Sequence, residues 1–184
     1  MIRLFVALEI PEDVISVVLS ERDKIFGGEN SIRWEPKEKL HITIKFLGDT
    51  KDLLVEQISQ ELELLVKKTK PFKLELNKFG VFRRGGDPKI LWVGMKESKW
   101  LSNFVDEIEE SFCKFGYPKE ERKFKPHVTL LRFRGGENTE KILNLLEVNL
   151  PSLSFNAKKV SLFQSELKQT GSVYSELKSF LIEK

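Results

Sequence analysis

Apolar residues along this chain recur with two periods, every second position and every third or fourth, and the two alternate in blocks. The first is the signature of a half-buried strand and the second of a helix lying on a sheet. Residues 2 to 9 read as a strand. Pro11 suits a first helical position, and Glu12 and Asp13 bring negative charge to the first turn, where the helix dipole favours it. The helix they open is expected to stop at Gly27-Gly28. Leu40, Ile42, Ile44 and Phe46 then alternate with His41, Thr43 and Lys45, predicting a strand with one apolar and one polar face. Asp52 to Lys68 places Leu54, Ile58, Leu62 and Leu65 on one helical stripe. Phe72, Leu74 and Leu76 alternate again and lead into Val81-Phe82.

The same order then begins afresh near Ile90. Leu91-Trp92-Val93-Gly94-Met95 echoes Leu4-Phe5-Val6-Ala7-Leu8, and a helix carrying Leu101, Val105, Ile108 and Phe112 follows, holding Cys113 and ending near Gly116. His127-Val128-Thr129-Leu130 echoes His41-Ile42-Thr43-Ile44. A short helix over about 137–147 and a strand over 153–163 complete the second copy, and a last strand, about 172–182, is extra. Corresponding elements lie 87, 86 and 81 positions apart, for the opening strands, the histidines and the Phe82/Phe163 pair. Near-constant offsets mark an internal repeat. The expected organisation is therefore one bilobal α+β domain over residues 1–184, made of two copies, about 1–86 and 87–184.

Composition narrows the class without naming a function. A chain of 184 residues suits one domain or two interlocked lobes. Fourteen Phe supply the bulky burial that disordered chains lack. The apolar run Leu4–Leu8 is far short of the roughly 20 residues of a membrane helix, and Glu9 and Pro11 interrupt it before it could serve as a signal peptide. Cys113 is the single cysteine, so an intrachain disulfide or a cysteine cage for metal is excluded and a cytoplasmic location is expected. A net charge of +3, from 31 basic and 28 acidic side chains, is too mild to indicate nucleic-acid binding by itself.

The histidines are sharper. There are two, and each is followed two positions later by one of only 6 threonines, a coincidence that chance rarely gives. In a strand that spacing puts His and Thr on one face. A single such pair is usually a solvated surface pair; a doubled one at equivalent places of a repeat points to a site. Imidazoles with an ordinary pKa near 6.5 can divide into one neutral and one protonated partner near pH 7, which suits proton transfer to and from a phosphate's oxygens. Threonine hydroxyls one repeat along each strand can donate to phosphate oxygens. Which histidine gives and which takes the proton is open at this point. Zinc is a weak rival, because two histidines lack a third and fourth ligand nearby.

Cations and aromatics around the motifs are candidate contacts for a phosphate-bearing ligand. Arg83-Arg84-Gly85-Gly86 and Arg132-Phe133-Arg134-Gly135-Gly136 set guanidinium forks beside turns. Arg132 has the opposite parity to His127 and Thr129, so a regular strand points it away from them unless a bulge intervenes. Lys45 shares the parity of His41 and Thr43 and is the better-placed cation. Phe5, Phe46, Phe82, Trp92 and Tyr174 are candidates for stacking on bases, with Phe46 assigned to the core by its parity with Leu40 and Ile42. Cys113 has no base beside it in sequence and is expected to be buried filler.

Arg3-Leu4-Phe5-Val6-Ala7-Leu8, Leu40-His41-Ile42-Thr43-Ile44-Lys45-Phe46-Leu47-Gly48, and Pro126-His127-Val128-Thr129-Leu130 with Arg132 together resemble the two-histidine phosphoesterases. The similarity is to their 2'-5' RNA ligase branch, also called RNA 2',3'-cyclic phosphodiesterases, and it spans nearly the whole chain. It implies two pseudo-symmetric units of antiparallel sheet with helices outside, and a central cleft carrying both His-x-Thr motifs. It further implies His41 as general acid, His127 as general base, and Thr43 and Thr129 on the phosphate. The implied reaction is metal-free and cofactor-free opening of a terminal 2',3'-cyclic phosphate on RNA, tRNA fragments among the possible substrates, to a 2'-phosphate. A 5'-hydroxyl replacing water would give 2'-5' joining without ATP, in keeping with the lack of a G-x-x-x-x-G-K-[ST] loop. A monomer is expected. A non-catalytic RNA-end binding module, and a phosphodiesterase of small cyclic nucleotides or ADP-ribose cyclic phosphate, are the alternatives.

Overall fold

The computed structural model describes residues 1–26, 32–135, 137–169 and 171–183; the expected helix stop at Gly27-Gly28 and the last glycine of the second Arg/Gly run lie outside them. In chain order the elements are β1 (Ile2–Glu9), α1 (Glu12–Phe26), β2 (His41–Thr50), α2 (Val55–Lys68), β3 (Lys73–Arg84), β4 (Asp87–Met95), α3 (Lys99–Phe112), β5 (His127–Arg132), α4 (Thr139–Leu143), β6 (Ser154–Asn156), β7 (Lys159–Lys168) and β8 (Gly171–Leu181). Short 3₁₀ turns precede β2 and α2 and follow α3 and α4.

Local signals explain the boundaries. Pro11 accepts the first helical bond of α1, from Ile15 N–H at 3.1 Å. Ser98 caps α3 by accepting from Leu101 N–H at 3.4 Å, and the chain leaves that helix through Gly116 at φ 89°. Gly85 and Gly86, at φ 61° and 88°, form the two-residue turn between β3 and β4, a conformation that L side chains rarely adopt.

The strands form one antiparallel sheet in the order β6-β3-β4-β5-β2-β1-β7-β8. β2 and β5, which carry the two motifs, are its central neighbours. Around them the two sequence runs interleave: β3 pairs with β4 of the second run, and β7 pairs with β1 of the first. One face is packed by the helices, with Ile58 and Leu62 of α2 and Leu101, Ile108 and Phe112 of α3 in the same buried cluster as Leu4, Leu8, Ile42, Leu91 and Val93. The opposite face is left to the histidines.

The strand expected over 153–163 is two strands on different partners. β6 pairs with the first residues of β3, and β7 lies against β1. Three residues from Asn156 to Lys159 reach about 10 Å, whereas six inter-strand spacings in a flat sheet would be about 29 Å. The sheet must therefore curl, which brings its β6 end near β7.

Candidate active site

The site is built where β2 and β5 meet. Ile42 pairs with Val128 in the antiparallel ladder. One residue to either side, that register sets His41 across from Thr129 and Thr43 across from His127. All four side chains line one small cleft with Glu35, Lys39, Phe46, Arg132 and Tyr174.

Each imidazole is held in the same way. His127 Nδ1 donates to the Lys125 carbonyl at 2.7 Å; a carbonyl only accepts, so the proton is on Nδ1 and Nε2 is left to face the cleft. His41 makes the corresponding backbone bond to Lys39, also two residues upstream. Behind His41 lie Phe5 at 5.1 Å and Phe163 at 5.9 Å between ring centroids, both stacked, with Tyr174 edge-on at 5.6 Å. Behind His127 stand Phe82 at 4.9 Å and Trp92 at 6.2 Å. These aromatic walls come from corresponding strands, β1 with β7 and β4 with β3, so the equivalence expected from the Phe82/Phe163 offset is spatial as well.

Enclosure by rings disfavours the charged imidazole. Burial, with smaller contributions from the Arg132 charge and from His127, pulls the His41 pKa down to about 4, against the Lys39 hydrogen bond. His127 is lowered for the same first reason, with Arg132 adding to it. Near neutral pH both rings of the free protein are uncharged.

Two bulges decide which cations and aromatics share the cleft. In β5 the pairing passes from Leu91–Leu131 to Trp92–Thr129, leaving Leu130 as an extra residue. Leu130 and Leu131 both turn inward, and Arg132 comes back to the side of His127 and Thr129. The bulge thus supplies what strict alternation denies Arg132, and Glu35 Oε1 fixes its Nε at 3.3 Å. In β2 the pairing passes from Val6–Lys45 to Ala7–Thr43, with Ile44 extra. This reverses the expected roles of two neighbours. Lys45 points into the helix side, where its ammonium pairs with Glu109 of α3 and donates to the Pro118 carbonyl at 3.0 Å. Phe46, expected in the core, is 58% exposed and lines the cleft.

The other candidates scatter. Arg83 is exposed on β3 and donates to the Gly86 carbonyl of its own hairpin at 2.9 Å; Arg134 is exposed beyond β5, its guanidinium beside Gly171. Neither lines the cleft. Phe5 is buried beneath His41, too deep to stack on a ligand, while Phe82 and Trp92 are half-buried against His127. Cys113 is exposed, not buried filler, because it follows the last turn of α3; its Sγ lies 3.2 Å from the Glu109 carbonyl. Glu35 and Lys39 belong to the cleft and were not singled out from sequence. Lys39 carried a usable signal, since Lys39-Leu40-His41 and Lys125-Pro126-His127 share the 86-residue offset of the histidines. Among the described residues no group of three or more His, Cys, Asp and Glu could hold a metal ion.

Similarity to known proteins agrees with this arrangement. A family model, the 2'-5' RNA ligase superfamily, matches residues 26–169. An RNA 2',3'-cyclic phosphodiesterase of Methanocaldococcus jannaschii is 30% identical over 182 residues, spanning 97% of this chain and 99% of that protein. One of the same name from Methanothermobacter thermautotrophicus is 26% identical over 181 residues, 97% of this chain and 98% of the other. The crystal structure of E. coli LigT in its apo form has the same fold, with a TM-score of 0.74 at 24% identity, covering 100% of this chain and 98% of that one. The doubled motif, the sheet that joins its two halves and the span of the family match agree: this chain belongs to the 2'-5' RNA ligase superfamily.

Proposed function

We propose that the protein is an RNA 2',3'-cyclic phosphodiesterase that opens the cyclic phosphate at an RNA 3' end and leaves a 2'-phosphate. The observation that carries this reading is the register of β2 and β5, which sets each histidine across from the other motif's threonine over one cleft. The names of the relatives from M. jannaschii and M. thermautotrophicus support the same substrate.

His127 Nε2 takes a proton from water as the water oxygen attacks phosphorus in line. The bond from phosphorus to the 3' oxygen breaks, and that oxygen takes a proton from His41 Nε2. Thr43 and Thr129 donate to the non-bridging oxygens, and Arg132 lies close enough to stabilise their charge. A neutral His127 is ready as base. His41 must first be protonated, and the substrate brings the means: an anionic phosphodiester at hydrogen-bond range favours the imidazolium. A 5'-hydroxyl in the water's place turns the same steps into 2'-5' joining.

The test is an RNA oligonucleotide ending in a 2',3'-cyclic phosphate, incubated with the protein in excess chelator. The expected product carries a 2'-phosphate only. Retention of the RNA without any product would make the protein a binding module, and loss of activity to the chelator would move the chemistry to a metal.

A further inference from the structure

His41 and His127 stand in matching surroundings, but they do not open on the same space. A pocket of about 490 Å³ takes His41 into its wall and leaves His127 out. That volume is in the range of small-molecule sites, about 300–1,000 Å³. Ile10, Ile15 and Leu40 give it an apolar side, and β1, β7 and β8 give it a polar floor through Glu9, Lys159, Ser161 and Glu176.

The floor is fixed. Lys159 of β7 bridges Glu9 of β1 at 2.9 Å and Glu176 of β8 at 3.2 Å. The Ser161 hydroxyl, on a residue 2% exposed, donates to Glu176 Oε2 at 2.9 Å. Four carboxylates, including Glu12 and Glu38, face two ammoniums in the lining, so the pocket is acidic. The neighbouring cleft has the opposite balance, with Lys39 and Arg132 against Glu35. A phosphate belongs in the cleft and a second phosphate is repelled by the pocket. An uncharged sugar and base are not, and donors on the base find acceptors in place.

We propose that this pocket seats the ribose and base of the nucleoside that bears the cyclic phosphate, and that Glu9 and Glu176 make it favour bases with amino groups. Adenine, cytosine and guanine each present an exocyclic N–H₂ donor to a carboxylate, whereas uracil has no amino group and flanks its one N3–H donor with two carbonyl oxygens that repel a carboxylate. The inference rests on the proposed activity in one respect, that the departing 3' oxygen lies at His41. With the nucleoside beside His41, the attacking oxygen has the His127 side free, and the preceding phosphodiesters must leave away from Glu12 and Glu38.

The experiment measures kcat/KM for the four nucleoside 2',3'-cyclic monophosphates and, separately, equilibrium binding of the four nucleoside 2'-monophosphates. Adenosine, cytidine and guanosine forms are expected to exceed the uridine form about tenfold in both. Glu176→Gln and Glu9→Gln, which put a donor amide near uracil O4 or O2, should narrow that ratio by raising the use of uridine. Equal values across the four bases overturn the pocket even if all are hydrolysed, as does a ratio that neither variant changes. Selective binding of the 2'-monophosphates with no turnover of the cyclic forms keeps the pocket and sinks the catalytic reading instead.

Discussion

Phe46 and Arg132 occupy the same place in two strands: each is the fifth residue after a cleft histidine, each follows a bulge, and each turns back to line the cleft. The equivalence shows what the bulges do. They let two successive residues, Ile44-Lys45 and Leu130-Leu131, face the helices while the next side chain rejoins the site. The site is thereby asymmetric at one pair of positions, an aromatic ring on the His41 strand and a guanidinium on the His127 strand.

Arg132 should matter for turnover and little for folding, since its side chain is 47% exposed. Arg132→Met is expected to lower kcat/KM by about 10- to 100-fold, the loss of a charge-assisted hydrogen bond to phosphate. It also removes a positive charge that depresses both histidines, so the pH optimum should move upward. An unchanged optimum would show that the guanidinium does not act on the rings.

Lys45 and Glu109 make the opposite prediction. Both are buried, and Glu109 also accepts from the backbone N–H of Glu120 at 3.1 Å. Lys45→Met leaves a buried carboxylate without its cation and should cost about 3–5 kcal/mol in urea unfolding. Adding Glu109→Leu removes the stranded charge and should recover much of the loss. A double variant as unstable as the single one would contradict this.

Gly80 and Gly94 bed the Trp92 indole. A methyl group on Gly80 would come within 2.2 Å of that ring, and one on Gly94 within 2.8 Å. Gly80→Ala should therefore displace Trp92, cost about 1–3 kcal/mol, and lower kcat through the loosened wall behind His127. Gly85→Ala meets no neighbour but sits at φ 61°, so it should weaken the hairpin while leaving kcat nearly unchanged.

Both histidines have depressed pKa values, which gives two pH effects of definite sign. The kcat/KM profile reports the free protein's acid and base, so its maximum should lie on the acid side of 6.5. Stability follows from His41, whose pKa is about 4 folded against 6.5 unfolded. Between those values the unfolded chain binds a proton that the folded one does not, so stability rises with pH through the window and is lost as pH falls. At 1.36 kcal/mol per unit the loss is about 3 kcal/mol. His41→Gln should flatten that dependence in urea titrations from pH 7 to pH 4, and an unchanged slope would refute the assignment.

Much of the molecule was legible in the sequence. Periods of 2 and 3.6 placed β2, α2, α3 and β5, because each buries one face against one partner layer, whereas β1 was legible as the continuous apolar run Leu4–Leu8, buried on both faces. The doubled His-x-Thr pattern was legible for a related reason: it repeats in two strands that turned out to be neighbours. Alternation failed past the threonines. Leu130-Leu131 carried a visible sign of its bulge, two adjacent apolar residues at the end of a strand. Ile44-Lys45 carried none, since an inward lysine is recognisable only through Glu109, which lies 64 positions away. Partners that distant, and the departure of β6 and β7 to different neighbours, are set by the curl of the sheet and leave no local pattern.

The central claim is that two imidazoles act as one unit on a single phosphorus. The direct measurement is turnover of a 2',3'-cyclic phosphate by His41→Ala, His127→Ala and the double variant, each checked for an intact fold by circular dichroism. Residues that act jointly are not additive, so each single variant should lose about 10²–10⁴-fold or more in kcat and the double variant scarcely more than the worse single one. Full activity in either single variant, or losses that simply multiply, would contradict the account.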